Sequence, residues 1–351
     1  MNSSRDNKDT KNLFVVDWKN TPEQGVDALL NNANLPGYNW SFYNCLEKNY
    51  AGNGVVNRYI AYLSAVLHIV KNKKKYDNII IWQPMIGFIL CLLPRFYSRP
   101  KIIITSILYS PGRVKKGSFR LFLLKQALKK ADALLYFSDG MAEDVRTVYP
   151  QYAKKVFSTY MPVIDSVDEA ALHLTLSNPK EKNNMVFSGG LSDRDFETVI
   201  RAFTNTDIPV TIVCTKLHVF KNPSLISSNF TILRSVSEIE YHSLVLASSF
   251  VVIALENEYS SCGQLLFAFS MKNGIPIIAT DCYGTRDYIT NNENGILVPV
   301  KDDRAIFNAY SNLVKDDALR EKLIERSKKK CAQMTFDNYL QKIDLVIQQP
   351  K

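Results

Sequence analysis

The fold of this chain is decided by residues 261–281, whose sequence is SCGQLLFAFSMKNGIPIIATD. A loop of small residues leads into a helix at Gly263, the helix ends near Asn273-Gly274, and an apolar strand follows at once. The start of such a helix leaves backbone N–H groups free at the positive end of the helix dipole. The stretch therefore predicts a diphosphate site that needs no basic side chain. An ordinary αβ unit, with its glycines only in turns, is the alternative.

Residues 185–195, with the sequence MVFSGGLSDRD, predict a second element of the same kind. A short apolar strand runs into the turn Gly189-Gly190, and Arg194 is expected in the first turn of the helix that follows. A guanidinium there can bind the same diphosphate through two hydrogen bonds and stabilise the charge that develops as the diphosphate leaves. In the alternative reading, Ser192 or Asp193 caps the helix and Arg194 forms a surface ion pair.

Together the two stretches resemble the C-terminal half of glycosyltransferases with the GT-B fold, in particular the retaining family 4. Members of that family often carry S-x-G-Q, four further residues, E-A-M and then G-x-P-V-I-A-T-D. The resemblance covers roughly residues 185–334 and continues through residues 282–289 and 294–299. It implies retaining transfer of a sugar from a nucleotide-sugar donor, with the nucleotide in the C-terminal domain and the acceptor at the N-terminal domain.

The expected donor site combines the two loops with the ends of two neighbouring strands. Arg194 and Lys216 are the candidate catalytic residues, because each places a positive charge near a leaving diphosphate. Lys216 follows the predicted strand 210–214, and the segment 234–236 follows the next strand, where it is expected to contact the base. The nucleotide-binding candidates are Gly189, Gly190, Arg234, Ser235, Val236, Glu258, Ser261, Cys262, Gly263 and Gln264.

The chain departs from the family pattern at two positions. The family usually has two glutamates eight residues apart, one near the donor sugar and one on the nucleotide ribose, where this chain has Ser261 and Phe269. A phenyl ring cannot accept a hydrogen bond from a ribose hydroxyl. Glu256 and Glu258 lie just upstream, and Glu258 is the candidate for the missing carboxylate. Solvated loop glutamates are the alternative reading of both residues.

Strand and helix patterns alternate along both halves of the chain, which predicts an α/β protein with two Rossmann-like domains that face each other across a cleft. The expected divisions are a disordered N-terminus over 1–12, an N-terminal acceptor domain over 13–162, a linker over 163–184 and a nucleotide-sugar-binding domain over 185–334. The segment 335–351 is expected to form a helix that packs back on the N-terminal domain.

Acceptor residues are harder to recognise, since the histidine or acidic residue that the family often has near the sugar is not evident. Asp17 follows the first predicted strand, and Tyr109 and Arg113 follow the strand predicted over 102–107. All three are candidates for the acceptor side of the cleft. Turn residues at the ends of strands are the alternative reading of each.

The amino-acid composition indicates which cofactors and which cell compartment to expect. The six cysteines lack the paired spacing of a metal site, and the four histidines are isolated, so we expect no protein-bound metal and no cofactor besides the donor. The N-terminus is polar and charged rather than a signal sequence, which predicts a cytoplasmic protein with reduced thiols. The longest apolar run, residues 79–93, is too short for a membrane span and contains Pro84 and Gly87.

Positive charge is concentrated in the N-terminal half of the chain. Residues 99–130 contain nine Lys or Arg and no Asp or Glu, and Lys71, Lys73, Lys74 and Lys75 form a second cluster. The part from residue 113 onward predicts a helix with apolar and basic faces, which suits an anionic membrane surface. A helix whose apolar face packs in the core is the alternative. No signature of nucleic-acid binding accompanies the charge.

These observations predict a peripheral glycosyltransferase at the inner face of a bacterial cell membrane. It is expected to move a sugar from a nucleotide-sugar donor to a lipid-linked glycan in the biosynthesis of a capsule, an exopolysaccharide or an O-antigen. The nucleotide of the donor is expected to be UDP. Two other classes stay open. One is a degenerate GT-B protein that binds a partner glycosyltransferase without turning over a donor. The other is a nucleotide-sugar epimerase of the non-hydrolysing type.

Overall fold

Two α/β units make up the protein in a computed structural model, which describes residues 10–18, 38–46, 55–94, 100–107, 110–112, 117–163 and 184–350. Unit 1 comprises residues 1–160 and 336–351, and unit 2 comprises residues 161–335. Each unit has one six-stranded sheet whose strands pair in parallel. The predicted fold class, an α/β protein with two Rossmann-like domains, is confirmed. Most of the predicted linker over 163–184 lies outside the described residues.

Unit 1 orders its strands β2-β1-β3-β4-β5-β6. Its strands are β1 (Thr10–Val16), β2 (Tyr38–Asn44), β3 (Asn78–Ile81), β4 (Lys101–Ile107), β5 (Ala133–Tyr136) and β6 (Val156–Ser158). Its helices are α1 (Val55–Asn72), α2 (Pro84–Leu92), α3 (Phe119–Lys130), α4 (Asp139–Val148) and, from the end of the chain, α11 (Phe336–Gln348), with 3-10 turns at Lys73–Lys75 and Pro150–Lys155.

The sheet of unit 1 is covered on both faces, which explains why its central strands are apolar along their whole length. Each crossover from β2 to β6 advances in the same direction along the sheet, so right-handed connections place α1 to α4 on one face. The other face receives α11. Its Tyr339 packs against Trp82 with ring centroids 5.4 Å apart, and the Tyr339 hydroxyl donates to Thr105 Oγ1 at 3.1 Å. The C-terminal helix therefore completes the core of unit 1.

Unit 2 orders its strands β12-β11-β10-β7-β8-β9. Its strands are β7 (Val186–Gly189), β8 (Val210–Cys214), β9 (Phe230–Arg234), β10 (Phe250–Ile253), β11 (Ile277–Thr280) and β12 (Ile296–Val298). Its helices are α5 (Phe196–Phe203), α6 (Glu238–Ala247), α7 (Gln264–Lys272), α8 (Tyr283–Arg286), α9 (Asp303–Lys315) and α10 (Asp317–Cys331), with a 3-10 turn at Pro223–Leu225.

Each sheet has one point where the direction of the connections reverses. In unit 2 the chain moves from β7 to β8 and β9 and then returns to β10 on the other side of β7. In unit 1 it moves from β1 to β2 and then returns to β3 on the other side of β1. Loops diverge at such a switch point and leave a crevice at the carboxyl ends of the strands, where open α/β sheets bind their ligands. The loops after β7 and β10, and those after β1 and β3, are therefore the places for a site.

Helix α3 packs against the rest of unit 1, and its predicted place at a membrane surface stays a prediction. Ser118 caps this helix by accepting a hydrogen bond from the Leu121 N–H at 3.3 Å. Its apolar face lies in the core of unit 1, as the alternative reading held, and only Phe119 and Phe122 among its large apolar side chains stay exposed. Strand β1 begins at Thr10, so residues 10–12 of the predicted disordered segment 1–12 form part of a strand, and the rest of that segment lies outside the described residues. None of the helices in the described ranges is long and apolar enough to span a bilayer.

Candidate functional site

Two loops meet at the switch point of unit 2, one between β7 and α5 and one between β10 and α7. Backbone hydrogen bonds join them directly, because the Asp195 N–H donates to the Ala254 carbonyl at 3.0 Å and the Glu256 N–H donates to the Asp193 carbonyl at 3.1 Å. Between these two bonds, Arg194 forms an isolated antiparallel bridge with Leu255. The two stretches that the sequence singled out separately are therefore parts of one backbone unit.

Arg194 does not lie in the first turn of a helix, and this prediction is wrong. Helix α5 begins at Phe196 and is capped by Asp195, whose Oδ1 accepts from the Thr198 N–H at 3.1 Å, so neither Ser192 nor Asp193 is the cap. The guanidinium of Arg194 turns back to the preceding loop. It donates from Nε to the Gly189 carbonyl at 2.8 Å and from Nη1 to the Ser192 carbonyl at 3.0 Å.

The glycine turn beside Arg194 is required by geometry. Gly190 has a φ of +139°, and a Cβ at this position would lie 2.5 Å from the Arg194 guanidinium. Gly189 is the last residue of β7 rather than a turn residue. Burial lowers the pKa of Arg194, yet an arginine keeps its charge near neutral pH. The loop therefore holds one fixed positive charge, oriented by two main-chain carbonyls, at the carboxyl end of β7.

The loop before α7 confirms the predicted helix start. Gly263 is the N-cap residue with a φ of +102°, and no side chain caps the helix. Helix geometry leaves the N–H groups of Gln264, Leu265 and Leu266 without intrahelical acceptors. The helix ends as predicted at Asn273, with Gly274 in the left-handed region at a φ of +64°. The free N–H groups at this N-terminus are of the kind that can bind an anion.

Earlier in this loop Asn257, Glu258 and Tyr259 are exposed, but the side chains next to the helix start point into unit 2 rather than to solvent. Ser261 is fully buried, and its Oγ accepts a hydrogen bond from Gln264 Nε2 at 3.1 Å. Gln264 and Cys262 are also buried. Three of the candidate nucleotide-binding residues thus shape the loop through their side chains, so a contact of these three with a ligand would have to use their backbone atoms.

The start of α8 packs against the same loop. Gly284 packs so closely that a Cβ on it would lie 2.3 Å from the Cα of Ser261. The Gly284 N–H donates to the Ser260 carbonyl at 3.0 Å, and the Ser260 hydroxyl lies 3.4 Å from Asp193 Oδ2. Three segments that are distant in sequence, after β7, β10 and β11, therefore hold each other in place.

A cavity of about 240 Å³ opens beside Arg194. Its lining residues come from the loops after β7, β8 and β10 and from the start of α5. They are Gly190, Leu191, Asp193, Arg194, Phe196, Thr215, His218 and Glu256. Phe196, Thr215 and His218 among them were not singled out from the sequence. The signal that could have found Thr215 is its place just after the buried strand β8, where parallel sheets bind ligands.

His218 brings a neutral imidazole to this cavity. Its ring packs edge-on against Phe196, with centroids 5.1 Å apart, and against Phe220 at 4.7 Å. Burial and then the Arg234 charge lower the pKa of His218, so the ring is uncharged at pH 7. Within the described part of the chain, its buried Nε2 has no hydrogen-bond partner.

Arg234 holds the loop that follows β8. Its Nη1 donates to the carbonyls of Thr215 at 3.2 Å, Lys216 at 3.4 Å and His218 at 2.7 Å. Ser235 has a φ of +56°, and its N–H donates to the Cys214 carbonyl at 3.1 Å. The predicted contact of residues 234–236 with a base stays a prediction.

The ammonium group of Lys216 is exposed on the same loop. It makes no hydrogen bond or ion pair with the residues that the structure describes. Lys216 therefore extends a free positive charge from a loop that also lines the cavity, in keeping with its candidate role.

Glu258 lines a different cavity from Arg194. This second cavity, of about 310 Å³, includes Asp281 and Arg286, whose side chains form an ion pair with Nε and Oδ1 2.6 Å apart. The ring of Phe269, at the position of the family's ribose glutamate, lies against the His242 ring with centroids 4.2 Å apart. Glu258 therefore does not line the cavity beside Arg194, and an aromatic pair occupies the position where the chain departs from the family pattern.

Asp17 lies at the switch point of unit 1, just beyond β1. Its Oδ2 accepts from the Tyr62 hydroxyl at 2.8 Å and from Gln83 Nε2 at 2.7 Å, so it links α1 to the loop after β3. The rings of Trp18 and Trp82 pack edge to face beside it, 5.1 Å apart. Burial raises the pKa of Asp17. The other two acceptor candidates, Tyr109 and Arg113, lie outside the described residues.

Asp17→Asn is expected to raise the stability of unit 1 relative to the unmodified protein, and this gain is expected to grow as the pH rises. Since the pKa of Asp17 is raised in the folded state, its contribution is most favourable below the ordinary aspartate pKa of about 3.9 and is lost as pH rises through the folded value. Asparagine can keep one acceptor oxygen for Tyr62 and Gln83 without a buried charge. We expect the melting temperature of the variant, relative to the unmodified protein, to increase from pH 4 to pH 8 in thermal melts.

The exposed Asp207 provides the control for this prediction. Asp207→Asn removes a carboxylate from the surface of unit 2 and is expected to leave the pH profile of melting nearly unchanged. A difference between Asp17→Asn and the unmodified protein that is constant across this pH range would contradict the assigned pKa shift.

Metal-binding groups are not evident in the described residues. No cluster of three or more His, Cys, Asp or Glu side chains that could hold a metal ion occurs within these ranges. All six cysteines are free thiols and buried.

Part of unit 2 matches a known family. The model of the family described as glycosyl transferases group 1 matches residues 268–330, which run from α7 through α10. No curated protein matches the chain.

Solved structures show the same fold over nearly the whole chain. A crystal structure of HepE from Anabaena with UDP-glucose has a TM-score of 0.67 at 13% identity and covers 95% of this chain and 99% of its own. Sucrose-phosphate synthase from Thermosynechococcus elongatus has a TM-score of 0.66 at 14% identity, with 96% and 98% covered. A UDP-forming trehalose-phosphate synthase from Burkholderia xenovorans has a TM-score of 0.66 at 10% identity, with 97% and 99% covered.

Proposed function

Since the chain is a glycosyltransferase with the GT-B fold, we propose that it transfers a sugar from a UDP-linked donor to a membrane lipid-linked glycan with retention of the anomeric configuration. The observation that carries the donor half of this proposal is the direct joining of two anion-binding loops at the switch point of unit 2. One loop supplies the free N–H groups of α7, and the other supplies the oriented guanidinium of Arg194.

The donor diphosphate would lie between these loops. Main-chain N–H groups at the start of α7 and the positive charge of Arg194 would bind its oxygens, and Lys216 would add a second, mobile charge. As the bond to the sugar breaks, these groups would stabilise the charge that grows on the leaving phosphate, so no metal is required. In the retaining mechanism that the resemblance to family 4 suggests, the leaving oxygen helps to deprotonate the acceptor hydroxyl on the same face.

Uridine is the base that the comparisons favour. The HepE structure is a complex with UDP-glucose, and the trehalose-phosphate synthase is a UDP-forming enzyme. We propose that Arg234, Ser235 and Val236, at the carboxyl end of β9, lie near the base, since Arg234 already orders the adjoining loop.

UDP is expected to raise the melting temperature of the protein, and GDP and ADP are expected to raise it less. At about 100 times its dissociation constant, a nucleotide that binds only the folded state stabilises it by about 2.7 kcal/mol. Lys216→Ala is expected to weaken UDP binding about tenfold, a loss of about 1.4 kcal/mol, because it removes an exposed charge without disturbing the core. Thermal-shift titration measures both effects.

Lys322→Ala is the matched control for this experiment. Lys322 is an exposed lysine on α10, outside the loops that line the cavity. The control should bind UDP as the unmodified protein does. If none of the three nucleotides shifts the melting temperature, the donor site is not functional and the proposal fails.

The acceptor half of the proposal is supported by charge. The chain carries a formal net charge of +9, and the basic residues of unit 1 suit a partner with phosphate groups. We propose a lipid-linked glycan of a capsule, exopolysaccharide or O-antigen pathway, reached by peripheral association with the inner, anionic face of the cell membrane.

A second candidate function follows from Ser261 and Phe269. Ser261 is buried, and Phe269 packs against His242, so neither position offers the carboxylate that the family uses on the donor. A protein without donor turnover that binds and supports a partner glycosyltransferase accounts for both residues. In that case Arg194→Ala would leave the partner's activity unchanged, whereas an active enzyme would lose most of its own.

A further inference from the structure

Helix α1 exposes a continuous apolar stripe on its outer face. Its inner face, which includes Ala61, Ala65 and Ile69, is buried in the core of unit 1. The stripe consists of Val56, Ile60, Leu63 and Leu67, spaced four, three and four residues apart, and Tyr59 lies beside it. Leu63 and Leu67 are 51% and 70% exposed. A helix that packs against one sheet needs a single apolar face, so the second face is not explained by the fold.

Basic residues continue the stripe at the C-terminal end of α1. Lys71 follows Leu67 at a spacing of four residues, and the 3-10 turn Lys73–Lys75 comes directly after the helix. Lys71, Lys74 and Lys75 are exposed. The outer surface thus changes from apolar to strongly positive along a single helix.

The neighbouring helices extend the same character. Helix α2 packs against both α1 and α3, and the sequences of these three helices contain no Asp or Glu. On α3, Phe119 and Phe122 are exposed and stacked with ring centroids 6.0 Å apart, and Arg120 is exposed beside them. A layer of helices that exposes apolar, aromatic and basic side chains without acidic ones favours an anionic, partly apolar partner.

A second copy of the chain is a poor occupant for this surface. A two-fold interface brings the same patch of each copy together, so the lysines of both copies would enter one interface without acidic partners from α1, α2 or α3. Nucleic acid is anionic, but the apolar stripe has no use on a phosphate backbone. The interface of an anionic bilayer offers both lipid phosphates and acyl chains at the required depth.

We propose that the outer face of α1 docks in the interface of an anionic lipid bilayer. Val56, Ile60, Leu63 and Leu67 enter the boundary between headgroups and acyl chains, and Lys71, Lys74 and Lys75 bind lipid phosphates. Phe119 and Phe122 on α3 form a second point of contact. The proposal rests on the proposed function, because an enzyme with a lipid-linked acceptor works at a bilayer, and it assigns the attachment to α1 rather than to α3 alone.

Vesicle co-sedimentation tests this surface. The full chain is mixed, without donor or acceptor, with vesicles of phosphatidylcholine alone or of two parts phosphatidylcholine to one part phosphatidylglycerol. We expect binding to the anionic vesicles only. The double variant L63E/L67E is expected to lower the partition coefficient about 10- to 100-fold, since it replaces inserted apolar groups by carboxylates that the anionic lipids repel. The triple variant K71A/K74A/K75A is expected to lower it by about 100-fold, because each lysine near an anionic surface contributes about fivefold to the partition coefficient.

L345E is the matched control. Leu345 is 56% exposed and lies on α11, which packs against the opposite face of the unit 1 sheet. We expect L345E to bind anionic vesicles like the unmodified protein, with all variants melting at similar temperatures. The proposal is overturned if the unmodified protein does not sediment with anionic vesicles, or if L63E/L67E sediments as well as L345E does.

Two further measurements distinguish membrane docking from dimer formation and from a defect of the donor site. If the protein forms a dimer in solution that L63E/L67E abolishes, and vesicles are not bound, a second copy covers the stripe and the proposal is wrong. Stabilisation by UDP, measured on the same variants, should be unchanged. If the protein does not bind vesicles but UDP still stabilises it, only the docking surface is overturned. If UDP does not stabilise the unmodified protein, the proposed donor site is wrong, and the vesicle result is judged separately.

Discussion

Replacement of Arg194 by alanine is expected to lower the turnover number for sugar transfer by about 10²- to 10³-fold. This is the loss typical of removing one oriented donor that stabilises developing negative charge. The guanidinium is held by the carbonyls of Gly189 and Ser192, so the enzyme does not have to order it during the reaction. The measurement is the initial rate of UDP release, with membrane lipid extract as the acceptor, from the UDP-linked sugar that the unmodified protein turns over fastest.

Arg194→Lys distinguishes charge from geometry. Lysine keeps the positive charge but has no planar fork, and its flexible ammonium cannot reproduce both hydrogen bonds to the loop. We expect it to recover only part of the rate, with an intermediate turnover number. Full recovery would show that a point charge suffices and that the fixed orientation of the guanidinium has no role.

Arg201→Ala is the control for the loss of a partly buried arginine. Arg201 lies on α5, where its Nη2 donates to Thr198 Oγ1 at 2.7 Å and its Nε lies 3.3 Å from Asp303 Oδ1. Its removal should affect stability slightly and the turnover number little. If both variants lose activity in parallel with a fall in melting temperature, the effect of Arg194 is structural and its catalytic assignment is wrong.

Gly284→Ala is expected to destabilise unit 2 by about 1–3 kcal/mol or more and to weaken UDP binding at the same time. The added Cβ would lie 2.3 Å from the Cα of Ser261, and a main-chain atom cannot move aside as the end of a flexible side chain can. The loop before α7 must therefore shift away from the position in which it presents its N–H groups. For a unit of this size each kcal/mol lowers the melting temperature by about 2–4 °C.

Gly112→Ala is a control in which an added methyl group meets only a side chain. There the Cβ would lie 3.2 Å from Asp144 Oδ2, and a carboxylate can turn away. We expect little change in melting temperature or in UDP binding. Thermal melts with and without UDP measure both properties, and a Gly284→Ala variant that melts and binds UDP like the unmodified protein would refute the close packing described for this loop.

Local patterns predicted most of the secondary structure. The strand 210–214 was predicted with its exact bounds, because a continuous apolar run with β-branched residues is typical of a buried parallel strand. Three strands were missed. In β2, Tyr38–Asn44, polar and aromatic residues are mixed at the edge of the sheet, and β6 and β12 have only three residues each. Short or edge strands carry weak periodicity, so sequence alone does not reveal them.

The sequence pointed to the two loops of the candidate site but not to the way in which their side chains are arranged. The glycine positions and Arg194 could be found because loops after apolar strands bind ligands in parallel sheets. The placement of Arg194 ahead of the helix could not be found, since the competing cap at Asp195 is decided by one side chain. His218 carried no recognisable pattern. It reaches the cavity because Arg234 fixes the intervening loop from the next strand.

The sequence by itself determined that this protein has two parallel sheets, a glycine-led helix start at residue 263 and a positively charged N-terminal half. These properties depend on residue types at short spacings. The tertiary structure alone decided that Gly284 supports the loop at Ser261, that Glu258 and Arg194 line different cavities, and that α1 keeps an apolar face exposed. Those outcomes depend on which segments pack together, and contacts between distant segments leave no periodic trace in the chain.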